Sequence, residues 1–356
     1  MNPDDTLIRD ADLRAELEAA RGKPGFRDFA LPSLISRQQR RDKDAAEAAA
    51  RKAELELLPR DQRRRAIVRG VFENEAPSPA DIRHIHSVLA VCGLPYSNMG
   101  AETRYERRQG NMSLVVKAGE LLTTSGQWQQ QPLPHGPKAR LILMHLCSEA
   151  VRQNSATIEI ADTFTAFVRE LGFDDAGGPR GALTAFKKQL NALAACSLTL
   201  GTWDGTTAKT KHFSPIDEFQ VWLSDNPDQR SLWASTLTFS PAMFESLKRH
   251  ALPVNVHAVR AFAGSSRKLD FYFWVGYRLH GIERPLYLSW KALVEQFGIG
   301  FTRQRDFQRQ FAEELSHITE VFPKLPVKLT ENGLTLLPAG PDVLALPAPR
   351  ATAKKR

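Results

Sequence analysis

The chain has 356 residues, with 48 Lys/Arg against 40 Asp/Glu for a formal charge of +8. With 42% hydrophobic and 25% charged residues, it has the composition of a folded globular protein, which excludes wholesale disorder. No stretch approaches the roughly 18 consecutive apolar residues of a membrane-spanning helix. Met1-Asn2-Pro3-Asp4-Asp5 lacks the basic and apolar regions of a signal peptide, so the expectation is a cytoplasmic protein with no membrane partner.

Cys92, Cys147 and Cys196 lie far apart, each inside an apolar stretch. That spacing suits three buried thiols in a reducing compartment better than a disulfide framework or a zinc finger. Neither a metal nor a cofactor is expected. Residues 1–75 carry 16 Lys/Arg and 15 Asp/Glu, and the remainder 32 and 25. The positive excess thus belongs to the part that looks folded, and it favours an anionic partner.

In chain order, Leu34 to Leu58 is rich in Ala, Arg, Glu and Lys, with Ser33 placed to cap it. Its apolar stripe is mostly alanine, so a solvated helix is expected. Arg60, Arg63, Arg64 and Arg65 form a basic cluster, read as a solvated helix end or a phosphate contact, and Ala76-Pro77-Ser78-Pro79 reads as a linker. A short helix is expected over Asp81–Val91, then strands at Ser113–Lys117 and Gln127–Gln131. Pro137 to Val151 is a strong helix, with Ala139, Leu143, Leu146 and Ala150 at helical spacing. Strand Thr157–Ile160, helix Thr163–Leu171, a turn at Gly177-Gly178-Pro179 and a helix Arg180–Ala195 follow. Ser197–Trp203 and Phe219–Leu223 read as a hairpin joined by a polar segment with Lys209 and Lys211.

This order recurs. Val256–Leu279 is helical with a break near Gly264, and Leu286–Leu288 is a strand. Trp290–Phe297 and Thr302–Phe322 are helices, and Val327–Thr330 with Leu334–Leu337 bracket Asn332-Gly333, a hairpin signal. Ala166-Phe167-Val168-Arg169-Glu170-Leu171-Gly172-Phe173 matches Ala292-Leu293-Val294-Glu295-Gln296-Phe297-Gly298-Ile299 at every apolar position and the glycine. Phe186 to Leu190 aligns with Phe307 to Phe311. Two units of helix, strand, helix, helix and hairpin describe an α+β chain of two tandem winged helices, each a helix-turn-helix with a β-hairpin wing. The expected division is a helical, partly disordered extension over 1–80, domains over 81–250 and 251–340, and a basic disordered tail over 341–356.

In a winged helix the third helix enters the major groove, so it needs an apolar anchor and a polar, cationic opposite face. In the first unit Leu183, Phe186, Leu190 and Leu193 are the anchor; Thr184, Lys188 and Ala192 lie opposite, flanked by Arg180, Lys187 and Asn191. In the second, Phe307, Phe311, Leu315 and Ile318 are the anchor, and Thr302, Arg305, Arg309, Ala312 and Ser316 lie opposite. Arginine reads guanine through two parallel hydrogen bonds. Lys209, Lys211 and Lys328 are candidate wing contacts to phosphates, and Lys138 and Arg140 sit at a helix start, where backbone N–H groups favour anions.

The chain resembles the RepA-type plasmid replication initiators of bacteria. The likeness is carried by Cys92-Gly93-Leu94-Pro95-Tyr96, Tyr105-Glu106-Arg107-Arg108-Gln109-Gly110, Leu133-Pro134-His135-Gly136-Pro137-Lys138-Ala139-Arg140-Leu141, Gly177-Gly178-Pro179-Arg180-Gly181, His250-Ala251-Leu252-Pro253 and Leu269-Asp270-Phe271-Tyr272-Phe273-Trp274. It covers roughly Asp81 to Pro338. The resemblance implies a non-enzymatic protein that binds repeated sequences in double-stranded plasmid origin DNA and helps open the duplex. It also implies recruitment of the host replicative helicase and host initiator protein, repression of its own promoter, and different oligomers, a homodimer among them, for the two tasks. It supplies no catalytic residue, and Pro179 stands where the family often has a lysine.

Two other classes use similar parts. A winged-helix transcriptional repressor would share both helices without initiating replication. A metal-dependent rolling-circle nickase would use His84-Ile85-His86 with Tyr96 or Tyr105. On the expected helix those histidines diverge by roughly 200°, which argues against one shared ion. No phosphate loop or His-Glu-x-x-His occurs. Trp203, Trp274 and Trp290 are expected in the core.

Overall fold

The structure, a computed structural model, describes residues 6–123, 125–159, 161–173, 181–219 and 236–347, the side chains of 161–165 and 219 excepted. The expected turn at Gly177-Gly178-Pro179, residue Arg180, residues 220–223 and residues 348–356 lie outside the described residues. The chain divides into two compact units, Met1–Arg63 and Arg64–Arg356.

The first unit is helical, with helices α1 (Ala11–Ala20) and α2 (Leu31–Leu57). It differs from the expected solvated rod because Ile8, Leu13, Leu17 and Leu34 form a small core of their own. Buried Gln38 accepts from the backbone N–H of Arg9 and Asp10, both at 3.0 Å, and the Arg41 guanidinium bridges Asp10 and Asp12. Ser33 lies inside the helix behind Pro32, which occupies its first turn. The alanine-rich stretch Ala45–Ala50 is exposed, as its composition demands.

In chain order the second unit takes up α3 (Arg60–Asn74) from Arg64 onward, then β1 (Ile82–His86) and α4 (Ser87–Val91). Strands β2 (Arg104–Gln109), β3 (Met112–Lys117), β4 (Glu120–Leu122) and β5 (Trp128–Gln130) follow. Next come α5 (Gly136–Gln153), β6 (Thr157–Glu159), α6 (Ala161–Glu170) and α7 (Ala182–Ala195). Strands β7 (Ser197–Trp203), β8 (Ala208–Phe213), β9 (Ile216–Phe219) and β10 (Thr236–Phe239) lead to α8 (Pro241–His250). Then β11 (Ala251–Asn255), α9 (Val256–Phe262), α10 (Ser266–Gly281), β12 (Leu286–Ser289) and α11 (Trp290–Phe297) precede α12 (Gln304–Val321), β13 (Val327–Thr330) and β14 (Gly333–Leu336).

The repeat extends further than the sequence suggested. β1 runs into the short helix α4 and then α5; β11 runs into α9 and then α10, and β1 and β11 pair antiparallel with His84 opposite Pro253. The last strand residue caps each short helix. His86 Nδ1 accepts from Val88 N–H at 3.2 Å, and Asn255 Oδ1 accepts from His257 N–H at 2.9 Å. Downstream, β6, α6, α7, β9, β10 and β12, α11, α12, β13, β14 form three-stranded sheets of the same order, β6-β10-β9 and β12-β14-β13. Inserted in the first copy are a four-stranded sheet, β2-β3-β7-β8, and the hairpin β4-β5.

Several expectations are corrected. Asp81–Val91 is a strand followed by a helix, because the spacing of Ile82, Ile85, Val88 and Leu89 runs across the junction. His84 and His86 therefore share a strand, where residues i and i+2 lie on one face and do not diverge as on a helix. His86 is nevertheless engaged at both ring nitrogens, the second facing Ser246 Oγ at 3.0 Å. The segment with Lys209 and Lys211 is itself a strand, β8, paired to β7, so the hairpin partner is not Phe219–Leu223; β9 pairs with β10 instead. Trp274 is buried and Trp290 half-buried, but Trp203 is 37% exposed. The boundary expected at residue 250 coincides with the start of β11, which pairs back to β1. Leu344, Ala345 and Leu346 pack into the main core rather than starting a free tail, and Asn255 Nδ2 donates to Ala345 O.

A buried polar joint ties the two repeats. Asp270 on α10 accepts from Arg140 Nε at 2.5 Å, Arg140 Nη2 at 2.9 Å and Arg107 Nη1 at 3.3 Å. Arg107 also donates to Tyr96 Oη and Gln296 O, and Gln296 Nε2 donates to Val91 O. Each charge is paired inside, as burial requires.

Candidate nucleic-acid interface

Helix α12 is anchored as its periodicity demands. Phe307, Phe311, Leu315 and Ile318 are buried, and the Phe311 ring lies 5.4–6.1 Å from those of Phe271, Phe297, Phe307 and Trp290. Such aromatic packing fixes the helix rigidly. On the opposite side Thr302, Arg305, Arg309 and Ser316 are exposed. Arg303 at the N-cap is exposed too and stands between two of the expected contacts. With the helix expected from Thr302, Arg303 falls four residues before Phe307 on the anchored side; the structure starts the helix at Gln304, which frees Arg303 to face solvent.

The turn leading into α12 is stapled by Arg267. Its Nε donates to Phe297 O at 3.1 Å, its Nη2 to Ile299 O at 3.2 Å, and its guanidinium stacks 4.7 Å from Phe301. The first repeat has the same device, with Arg64 Nη2 donating to Gly172 O at 3.0 Å and the guanidinium 4.9 Å above Phe173. Arg64 and Arg65 are thus buried braces rather than a phosphate-facing cluster, Arg65 pairing with Glu320 at 2.7 Å.

Helix α7 sits lower in its surroundings. Phe186, Leu190 and Leu193 are buried and Leu183 packs beside them, as expected, but Ala192 is buried as well. Thr184, Lys187 and Asn191 are half-buried, and Lys188 is exposed. Burial lowers the Lys187 ammonium below its ordinary range. Gln189 faces inward, where its Oε1 accepts from His135 N–H at 2.8 Å. Neither helix has a side chain capping its first turn.

The remaining candidates separate. Lys209 and Lys211 on β8 and Lys328 on β13 are exposed. Lys138 is half-buried, its ammonium 5.7 and 5.8 Å from the rings of Phe173 and Phe186. Arg140 is corrected: at 3% exposure it donates to Asp270, Leu94 O, Pro95 O and Gly136 O, and it holds the joint rather than a phosphate. The three cysteines are free and buried, and burial pushes the Cys92 thiol up to about 11 and those of Cys147 and Cys196 to about 12.

Residues 133–291 match the family model of plasmid-encoded RepA proteins. That match spans less than half of the chain, and it supports an initiator role in plasmid replication. No curated protein matches the chain. Two solved structures of domains 2 and 3 of RctB are similar in outline. One, a selenomethionine derivative, is 11% identical with a TM-score of 0.46, covering 68% of this chain and 87% of its own. The other is 10% identical with a TM-score of 0.42, covering 65% and 82%. Among the described residues no helix is long and apolar enough to cross a membrane, and no cluster of three or more His, Cys, Asp or Glu is placed to hold a metal ion.

Proposed function

We propose that this protein is a plasmid replication initiator that binds double-stranded origin DNA through two winged helices, α7 and α12 being the reading helices. The observation that carries the reading is the shared order of the two repeats, β6-β10-β9 and β12-β14-β13, each with one long helix showing a cation to solvent. With the family match, that arrangement favours a duplex reader over an enzyme. Arg303, Arg305 and Arg309 would approach base edges and phosphates of one major groove, Thr184, Lys187, Lys188 and Asn191 those of another. Hairpin β13-β14, with Lys328 on its edge strand, is the second wing; the first wing is β9-β10.

The origin-opening step and the recruitment of host helicase and initiator rest on the family likeness alone. Footprinting the purified protein on its own plasmid tests the proposal. Several repeated protected blocks, together with replication of an origin-bearing plasmid when the protein is supplied, are the expected result. One short operator at its promoter and no replication would make it a repressor instead.

A further inference from the structure

The four-stranded sheet β2-β3-β7-β8 has an open face. Alternation along the strands places Arg104, Glu106 and Arg108 of β2, Ser113 and Lys117 of β3, Thr199, Gly201 and Trp203 of β7 and His212 of β8 on it. Tyr105, Leu114, Val116 and Leu198, on the other face, are buried. At the centre of the open face Gly201, with Arg108, Ser113, Trp203, Lys209 and Thr210, lines a shallow cleft of about 350 Å³.

Gly201 has no structural reason to be glycine. A Cβ there would meet its nearest neighbour, Ser113 O, at 3.8 Å, an ordinary contact, and its φ is not among the positive ones. Pairing with β3 and β8 runs through it without a bulge. Glycine weakens a strand interior, and with bulge and bend excluded the remaining use is close approach of a ligand. The groups around it define that ligand. Arg104 and Arg108, both held by Glu106 at 2.7 and 2.8 Å, with Lys117 opposite Arg104, leave the face net positive. Trp203 offers an exposed ring, and Ser113, Thr199 and Thr210 offer hydroxyls. A cationic track beside an aromatic ring is the equipment for holding a nucleic-acid strand whose bases are free to stack.

We infer that this face binds a single strand of DNA, with a base stacked on Trp203, its backbone crossing Gly201, and phosphates held by Arg104, Arg108 and Lys117. Neither α7 nor α12 takes part, so the inference stands apart from the duplex-reading proposal. The test is fluorescence anisotropy of the full chain with a labelled single-stranded oligothymidylate, beside a duplex carrying the footprinted site. Gly201→Thr is expected to keep or raise the melting temperature, since threonine favours strands, and to weaken single-strand binding at least tenfold. Trp203→Ala is expected to weaken it roughly tenfold, the loss typical of one stacked base. Duplex binding should be unchanged in both, while Arg309→Ala should do the reverse. Four results would overturn the inference: no binding of the oligonucleotide by the wild-type chain, full binding by Gly201→Thr, unfolding of Gly201→Thr, or equal loss on duplex and single strand.

Discussion

The two repeats are built alike but present their long helices differently. In the second, Thr302, Arg303, Arg305 and Arg309 are all exposed, and an aromatic cluster holds α12 from behind. In the first, Thr184, Lys187 and Asn191 are half-buried, Ala192 is buried, and Lys188 alone among the expected contacts on α7 is exposed. One scaffold thus carries a projecting, arginine-rich helix and a recessed, lysine-bearing one. Arginine suits bidentate contact with guanine, whereas lysine acts on phosphate as a point charge. Under the proposed duplex reading, the difference places base specificity in the second repeat and non-specific affinity in the first.

The largest test concerns what the repeats share. Asp270→Ala leaves the Arg107 and Arg140 guanidiniums buried without their carboxylate, and loss of one partner from such a group costs about 3–5 kcal/mol. Denaturant unfolding should show both repeats melting in one transition at much lower denaturant. A loss confined to α10 and its neighbours would mean that the joint does not couple them.

The next test sharpens the contrast between the reading helices. Arg309→Ala should remove about 1–3 kcal/mol of discrimination at one base position, measured by competition with duplexes mutated one base pair at a time. A uniform loss across sequences would reassign it to phosphate.

A third difference lies in the caps. Burial pushes the His86 ring down to about 4, with His250 and Lys211 adding repulsion, whereas Asn255 does the same capping job without titrating. With the folded value below the ordinary 6.5, the unfolded chain takes up the proton first. Stability is therefore complete above about pH 6.5 and lost as pH falls toward 4. Between pH 6.5 and 5 this group accounts for about 2 kcal/mol. His86→Asn should flatten that part of the acid dependence, leaving the share of His145, also held near 4 by burial. An unchanged pH profile by urea titration would refute the assignment.

The smallest effect belongs to α7. Lys188→Ala should reduce the slope of log K against log salt by about 0.9 and weaken all duplexes alike. A change in base preference would contradict the division of labour.

Much of the fold was legible where periodicity stays within one element. Pro137 with Ala139, Leu143 and Leu146 announced α5, and Asn332-Gly333 announced β13-β14. It failed where a pattern crosses a junction, as at Ile82 to Leu89, where a strand hands over to a helix capped by its own last residue. It failed again at β8, whose Ala-Lys-Thr-Lys-His sequence has no apolar alternation because the strand lies at an exposed sheet edge. Among the candidates, the solvent exposure of Arg305 and Arg309 on α12 could be read because four apolar positions fix its inner face. Arg140 could not, because its partner Asp270 lies 130 residues away.

The account turns on two helices reaching the same duplex. Hydroxyl-radical protection of one bound site, with wild type and with Arg309→Ala, tests this most directly. Wild type should protect two tracts about one helical turn, ~10 bp, apart, and the variant should weaken the tract under α12 while keeping the other. A single tract, or equal weakening of both, would contradict it.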